Sequence, residues 1–357
     1  MASGVAQIPV DVLAIMGLVL LAVFGLLFYR ARRKTAVSED SSLTKPARPW
    51  LVRAVVYLLK LALFGIFVFL VIDLILTIYL SYETVVEELA PAHHSVTKPD
   101  GFTLPIEEIS FTGGDDLTLV GWYVPPQNEA VIILLHGYGG DRAAMMWHAE
   151  QLYAAGYGLL MYDERASGES EGEQRSYGWR DPADVFGAVE YLQTKPGIDP
   201  QQIGIVGCSI GGQIALQSTA YSPDIQAVWA DGSATVTSKD IPLRGGLLFW
   251  LVYPSNYVID RMMAQKLDMK PPSALVDVID DIAPRPIMLV AGGQPHPLFG
   301  AEAGRMEHLA GFAGENADVW VIEEATHCDG PALVPEDYAT RMVAFFDDAF
   351  VHAGVSE

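Results

Sequence analysis

Cysteine is almost missing from this chain: there are two among 357 residues, Cys208 and Cys328. That is too few for a disulfide framework to substitute for a hydrophobic core. Basic residues are scarce too, with 22 Lys and Arg against 44 Asp and Glu. Residues 1–82 carry 8 basic and 4 acidic side chains, so everything after them holds 14 basic and 40 acidic, a net charge near −26. Such a surface repels phosphate backbones and anionic headgroups, which argues against nucleic acid as a partner. Its plain consequence is solubility. HExxH, paired CxxC and GxxxxGK[ST] are absent, and "GYGGDR" at 137–142 lacks the lysine of a phosphate loop. No metal and no cofactor is expected. No internal repeat or long low-complexity segment appears.

What is abundant is hydrophobic side chain, 51% of the whole, and it is unevenly placed. Residues 8–29, "IPVDVLAIMGLVLLAVFGLLFY", and about 58–80, ending "LALFGIFVFLVIDLILTIYL", are each long enough to cross a hydrocarbon core of roughly 30 Å. The first is too long for a signal-peptide core, has no positive start and no small-residue cleavage site behind it. Two transmembrane helices are therefore expected. Between them lie Arg30, Arg32, Arg33, Lys34, Lys45, Arg48, Arg53 and Lys60, while no Lys or Arg precedes the first span. The positive-inside rule puts this linker in the cytoplasm. The expected arrangement is a two-span anchor (1–82) in the cell membrane, a connector (83–105), and an extracytoplasmic domain (106–357). Asp73, inside the second span, reads better as a carboxyl held between two helices than as part of a transport pathway.

The outer part alternates short β-rich apolar runs with amphipathic stretches. "IEEISFT" and "LTLVGWYV" read as paired strands around a turn at 113–116. "AVIILLH", "YGLLMYD", "QIGIVG", "IQAVWAD", "PIMLVAG" and "ADVWVIE" follow, separated by helix-length segments at 141–155, 182–194, 210–221, 301–313 and 335–350. Continuous apolar strands alternating with helices indicate an α/β fold whose mostly parallel sheet is flanked by helices. After the sixth strand, about 233–283 interrupts the rhythm. A structureless insert of that length is unusual in a compact domain, so it should carry helices. Its Leu, Phe, Trp, Tyr and Met content suits a cap over a pocket, a buried excursion or a surface resting on the membrane, and the three stay open.

"IGIVGCSIGGQIAL", residues 203–216, places Ser209 in Gly-x-Ser-x-Gly between a strand and a helix. This is the nucleophile-elbow arrangement, in which a sharp turn lifts the hydroxyl above the sheet and demands small neighbours. The N–H of Ile210 then points where an oxyanion would form, and the loop after "VIILLHG" offers the N–H of Tyr138 as a second donor. Serine needs a base, its own hydroxyl being too weakly acidic to attack at neutral pH. Of eight histidines, His327 in "EATHCDGP" follows the last strand, and nucleophile first, histidine last is the chain order of this arrangement. His136 belongs to the oxyanion loop and is read as structural; His148 and His308 fall in helices, where packing is the default. Cys208 is read as a small buried residue of the elbow. A Cys208–Cys328 bridge is disfavoured, since neighbours of catalytic residues need not face each other.

Residues 106–352 resemble the alpha/beta hydrolases, closest in pattern to the serine aminopeptidase and prolyl-oligopeptidase-like branch. The matching pieces are "LLHGYGG", "YDERASGESEG", "GCSIGG", "APRPIMLVAGG" and "ATHCDGP". The resemblance implies a serine hydrolase acting on a small-molecule or peptide substrate, an ester, thioester or peptide bond, through an acyl-enzyme. "DERASGESEG" reads as a structural turn behind the site. One departure matters: such proteins usually show Gly-x-x-Asp-Pro after the strand that here reads "PIMLVAGG", and this chain has His296 and Pro297 there. Glu302, a few residues on, is the favoured replacement acid, its longer side chain compensating for the displacement. Asp231 is the alternative; Asp329 is too close to His327 in sequence to be placed. The rival reading, drawn from the missing Asp, is a catalytically inactive hydrolase fold serving as a binding or scaffold module at the membrane.

Overall fold

The computed structural model describes residues 49–243, 247–295 and 302–353. The first expected span, most of the basic linker and the His296–Pro297 pair lie outside these residues. The chain divides into two units, Met1–Leu80 and Ser81–Glu357.

In the first unit the described residues belong to helix α1 (Pro49–Leu89). Within Val52–Leu89 an 18-residue window reaches a mean hydropathy of 2.8 with none of it buried. Among the described residues this is the one helix long and apolar enough to cross a membrane, and it contains the second expected span. The helix runs on past residue 82 into the connector, whose sequence reads as helix-like and then turn-rich. Its last two turns belong to the second unit, where Val85 and Leu89 are buried against Trp179, Met263 and Leu267. The expected connector is thus partly helical, because two apolar side chains one turn apart find a surface to cover.

The second unit is built on an eight-stranded sheet. Its strands are β2 (Glu107–Thr112), β3 (Thr118–Val124), β4 (Val131–Leu135), β5 (Gly158–Tyr162), β7 (Ile203–Cys208), β8 (Ala227–Asp231), β9 (Ile287–Gly292) and β10 (Ala317–Ile322), ordered β10-β9-β8-β7-β4-β5-β3-β2. Only β3 runs against its neighbours. A two-residue pairing of β1 (Ala92–His93) with β6 (Ser167–Gly168) stands apart. All five side chains of β4 are buried, as are those of β5 and β8. Both faces are covered by helices, so an alternating pattern would bury polar groups and a continuous apolar run is required. Each fully buried Val, Leu or Ile contributes about 1.5–3 kcal/mol.

Helices α2 (Met146–Ala154), α3 (Pro182–Gln193), α4 (Ile210–Tyr221), α7 (Ala303–Ala313) and α9 (Pro335–Ala353) follow strands as the sequence pattern requires. The insert after β8 does carry helices, α5 (Leu247–Lys266) and the short α6 (Leu275–Val278). One more short helix, α8 (Gly330–Leu333), precedes α9. Register aligns Leu135 with Gly207, Cys208 with Asp231, and Gly292 with Ile322. The carboxyl ends of β4, β7, β8, β9 and β10 therefore share one edge. From β4 the chain steps to β5 on one side and β7 on the other, the topological switch where open α/β sheets form their crevice.

Candidate active site

Ser209 sits between β7 and α4 with φ 58° and ψ −116°. A non-glycine residue in this region is strained, and the surroundings must hold it there. They do: the Ser209 N–H donates to Asp231 O at 2.8 Å, and Ser209 O accepts from Ala234 N at 3.1 Å. The helix packs so close behind the turn that a Cβ on Gly207 would lie 2.1 Å from Gly211 O. Ile210 is the first residue of α4, so its N–H has no carbonyl of its own helix to serve.

The loop after β4 lies alongside: a Cβ on Gly137 would sit 3.5 Å from Ser209 Cβ. Buried His136 shapes that loop. Its Nε2 accepts from the Glu164 N–H at 3.1 Å, so Nδ1 carries the proton and donates to Gly137 O at 2.8 Å. Burial lowers its pKa and keeps it neutral, a structural part. Tyr138 is held from outside, its hydroxyl donating to Glu87 O at 2.9 Å and its ring under Arg175 at 4.0 Å.

His327 lies in the loop after β10. Its Nε2 is 3.0 Å from Ser209 Oγ, and its Nδ1 meets Glu302 Oε1. The Glu302 side chain is fully buried. Its second oxygen accepts from the Gly292 N–H at 3.1 Å, and Arg305 Nη2 stands 3.9 Å from the first. Gly232, at φ 57°, makes the pairing possible: a Cβ there would lie 2.9 Å from His327 Nδ1 and 3.2 Å from Glu302 Oε2. Ser209, His327 and Glu302 thus form one hydrogen-bonded line across the carboxyl ends of β7, β10 and β9.

The other acids are engaged elsewhere. Asp231 accepts from the Tyr338 hydroxyl at 2.9 Å, and that oxygen in turn accepts from Trp229 Nε1 at 2.9 Å. Burial pushes the Asp231 carboxyl up to about 7. Asp329 accepts from the Thr326 N–H and hydroxyl, both at 2.8 Å, and so shapes the histidine loop internally. In "DERASGESEG", Asp163 accepts from the N–H groups of Arg142 and Glu169, and Arg165 pairs with Asp184 and Asp115. His148 is buried in α2, where burial pulls its pKa down to about 4.

The comparisons with known proteins agree with this architecture. The serine aminopeptidase family S33 matches residues 126–302. An esterase from Pyrococcus furiosus, Pf2001, superposes with a TM-score of 0.59 at 22% identity, over 73% of this chain and 97% of its own. This chain has the alpha/beta-hydrolase fold. Protein YfhR of Salmonella typhimurium is 24% identical over 69% of this chain and 80% of its own length. Thiohydrolase aneE of Aspergillus aculeatus is 32% identical over a shorter stretch, 34% of this chain and 39% of its own.

The hydrolase fold also contains features the sequence reading missed. The disfavoured bridge exists: Cys208 and Cys328 form a disulfide, with Cα atoms 6.1 Å apart. The expectation failed because it treated the two cysteines as independent neighbours of catalytic positions. Register brings Cys208 level with Asp231, and Cys328 Sγ lies 3.4 Å from that residue's carbonyl oxygen. The part of Tyr338 in occupying Asp231 carries no motif. Arg305 could have been suspected from its i+3 spacing to Glu302. Beside Tyr138 and Ile210 opens a small cleft that Arg175, Tyr177 and Glu88 also line. It adjoins a cavity bordered by Glu88, Tyr177 and Trp179 and by Asn256 and Met263 of α5. The insert is therefore one wall of the space next to the site.

Proposed function

We propose that this protein is a membrane-anchored, extracytoplasmic serine hydrolase cleaving an ester, thioester or peptide bond. The observation that carries the reading is the continuous line Glu302–His327–Ser209 at the crevice of the sheet. Ser209 Oγ attacks the acyl carbon while His327 Nε2 takes its proton. Glu302 holds Nδ1–H, fixing the tautomer and stabilising the imidazolium. The tetrahedral oxyanion is received by the N–H groups of Ile210, at the start of α4, and of Tyr138, in the loop beside Ser209, donors fixed by backbone before charge develops in this reading. His327 returns the proton to the leaving group, and water repeats the sequence on the acyl-enzyme. The esterase and thiohydrolase among similar proteins favour esters and thioesters as substrates. Glu302 beside His327 supports the catalytic reading over the inactive scaffold, which was drawn from the missing Asp.

Two experiments test the reading. A fluorophosphonate probe should label the purified full chain, and Ser209→Ala should not be labelled; persistent labelling of that variant would reassign the nucleophile. Membrane anchoring by two helices rests on the apolar composition of 8–29 and 58–80, and orientation on the basic linker. Protease added to intact cells should cut within 83–357 and spare 31–52. The opposite pattern would overturn the topology.

A further inference from the structure

We propose that the Cys208–Cys328 disulfide is a positioning element of the active site: it holds His327 in register with Ser209, and full turnover requires the oxidised bond. The proposal rests on the serine-hydrolase reading and extends it to the redox state in which the enzyme works.

The bond joins the residue before the nucleophile to the residue after the base, across 120 positions of sequence. Its two ends are anchored unequally. Cys208 is the last residue of β7, paired in register with Asp231, and the next N–H is already bonded to Asp231 O. Cys328 belongs to the loop between β10 and the short helix α8, outside any regular element. It also sits at φ 51°, a left-handed conformation that a residue with a Cβ keeps only when its surroundings impose it. The hydrogen bonds that order this loop lead elsewhere. Asp329 bonds Thr326 within the loop. The N–H groups of Gly293 and Gln294 donate to the carbonyls of Ile322 and Ala325, which ties the loop to the end of β9, on the acid's side. The disulfide is the covalent tie from the loop to the elbow. Without it, Glu302 still holds the His327 ring from the side of β9, but the approach of that ring to Ser209 rests on noncovalent contacts, among them their own 3.0 Å hydrogen bond, which must break and re-form in each turnover.

Catalysis is sensitive to such a distance, because a misplacement of about 1 Å can cost on the order of 100-fold. A corollary concerns location. The bond persists in an oxidising compartment and is reduced in the cytosol, so the domain would reach full activity only after crossing the membrane.

The test uses the full chain in detergent, with p-nitrophenyl butyrate as substrate and dithiothreitol as reductant. A dithiothreitol thiolate attacks one protein sulfur and breaks the S–S bond. Its second thiol then closes the reagent into a cyclic disulfide, leaving two protein thiols, and alkylation followed by mass measurement counts them. With no other cysteine in the chain, reduction has a single product. The expected result is a fall in kcat of about 10–100-fold with KM within about twofold. Fluorophosphonate labelling of Ser209 should slow in parallel, and reoxidation should restore both. The variant carrying Cys208→Ala and Cys328→Ala should show the same split between kcat and KM and ignore dithiothreitol. Unchanged kcat in the reduced protein and in the double variant overturns the proposal. So does unfolding of both at the assay temperature, which would make the bond a staple of the fold. Two free thiols in protein purified without reductant also overturn it. If the oxidised wild type neither hydrolyses the ester nor is labelled at Ser209, the hydrolase reading itself fails; equal labelling of oxidised and reduced protein defeats only the proposal made here.

Discussion

The two halves of the candidate site are built by different means. The elbow half stands on β4 and β7, central strands whose side chains are buried almost throughout. Its geometry is imposed by contacts with no slack, as between Gly207 and the Gly211 carbonyl. The histidine–acid half stands on β9 and β10, and β10 is an edge strand only partly covered. Its residues come from loops and a helix start, and its acid is a glutamate displaced along the chain. Steric closure in the centre leaves little choice of residue, whereas loops at the edge tolerate a shifted acid if other bonds restore the alignment. The glutamate, the Asp329 turn and the disulfide are such bonds.

Breaking the elbow half should give the largest effect. Ser209→Ala is expected to lower kcat by about 10⁶-fold with an unchanged thermal melt, read by ester hydrolysis and calorimetry. Retained turnover would place the nucleophile elsewhere. Next comes the acid. Glu302→Gln is expected to lower kcat by about 10³–10⁴-fold, while Asp231→Asn keeps most activity because Asp231 already accepts from Tyr338. Steady-state kinetics of the two variants would move the assignment to Asp231 if the order were reversed. If both stay active, the site works as a Ser–His dyad.

A smaller effect sharpens how the edge half is aligned. Gly232→Ala puts a methyl 2.9 Å from His327 Nδ1 at a φ of 57°. It should cost about 1–3 kcal/mol of stability and lower kcat more than it raises KM. A variant with wild-type kcat would show that the histidine–glutamate pair has room to spare.

The last effect is one of stability against pH. The Asp231 carboxyl is raised from 3.8 to about 7 in the folded state by burial. The folded protein therefore holds this proton more tightly than the unfolded chain. The contribution is fully present below about pH 4 and is lost as pH rises through 7. Asp231→Asn removes it, so the melting temperature of the variant relative to wild type should rise between pH 5 and pH 8. The span corresponds to a few kcal/mol, on the order of 1.4 kcal/mol per pH unit. A difference independent of pH would mean that Asp231 is ionised in the fold throughout.

Much of this protein could be read without coordinates, for reasons that are local. Buried parallel strands must be continuous apolar runs, so "AVIILLH" and "QIGIVG" announced themselves. The strand–Gly-x-Ser-x-Gly–helix pattern is short-range sterics written in sequence, and it picked out Ser209, Ile210 and the glycines around them. Chain order singled out His327. The acid was harder: with Asp-Pro replaced by His296–Pro297, side-chain length argued for Glu302 without excluding Asp231. Only the packed sheet decided where those carboxylates lie, since their relation to His327 depends on the register of β8, β9 and β10, residues far apart along the chain. The same holds for Cys208 and Cys328. Nothing in the sequence between two cysteines 120 positions apart says that their Cα atoms stand 6.1 Å from each other. Proximity of that kind is created by strand pairing, and so belongs to the tertiary structure alone.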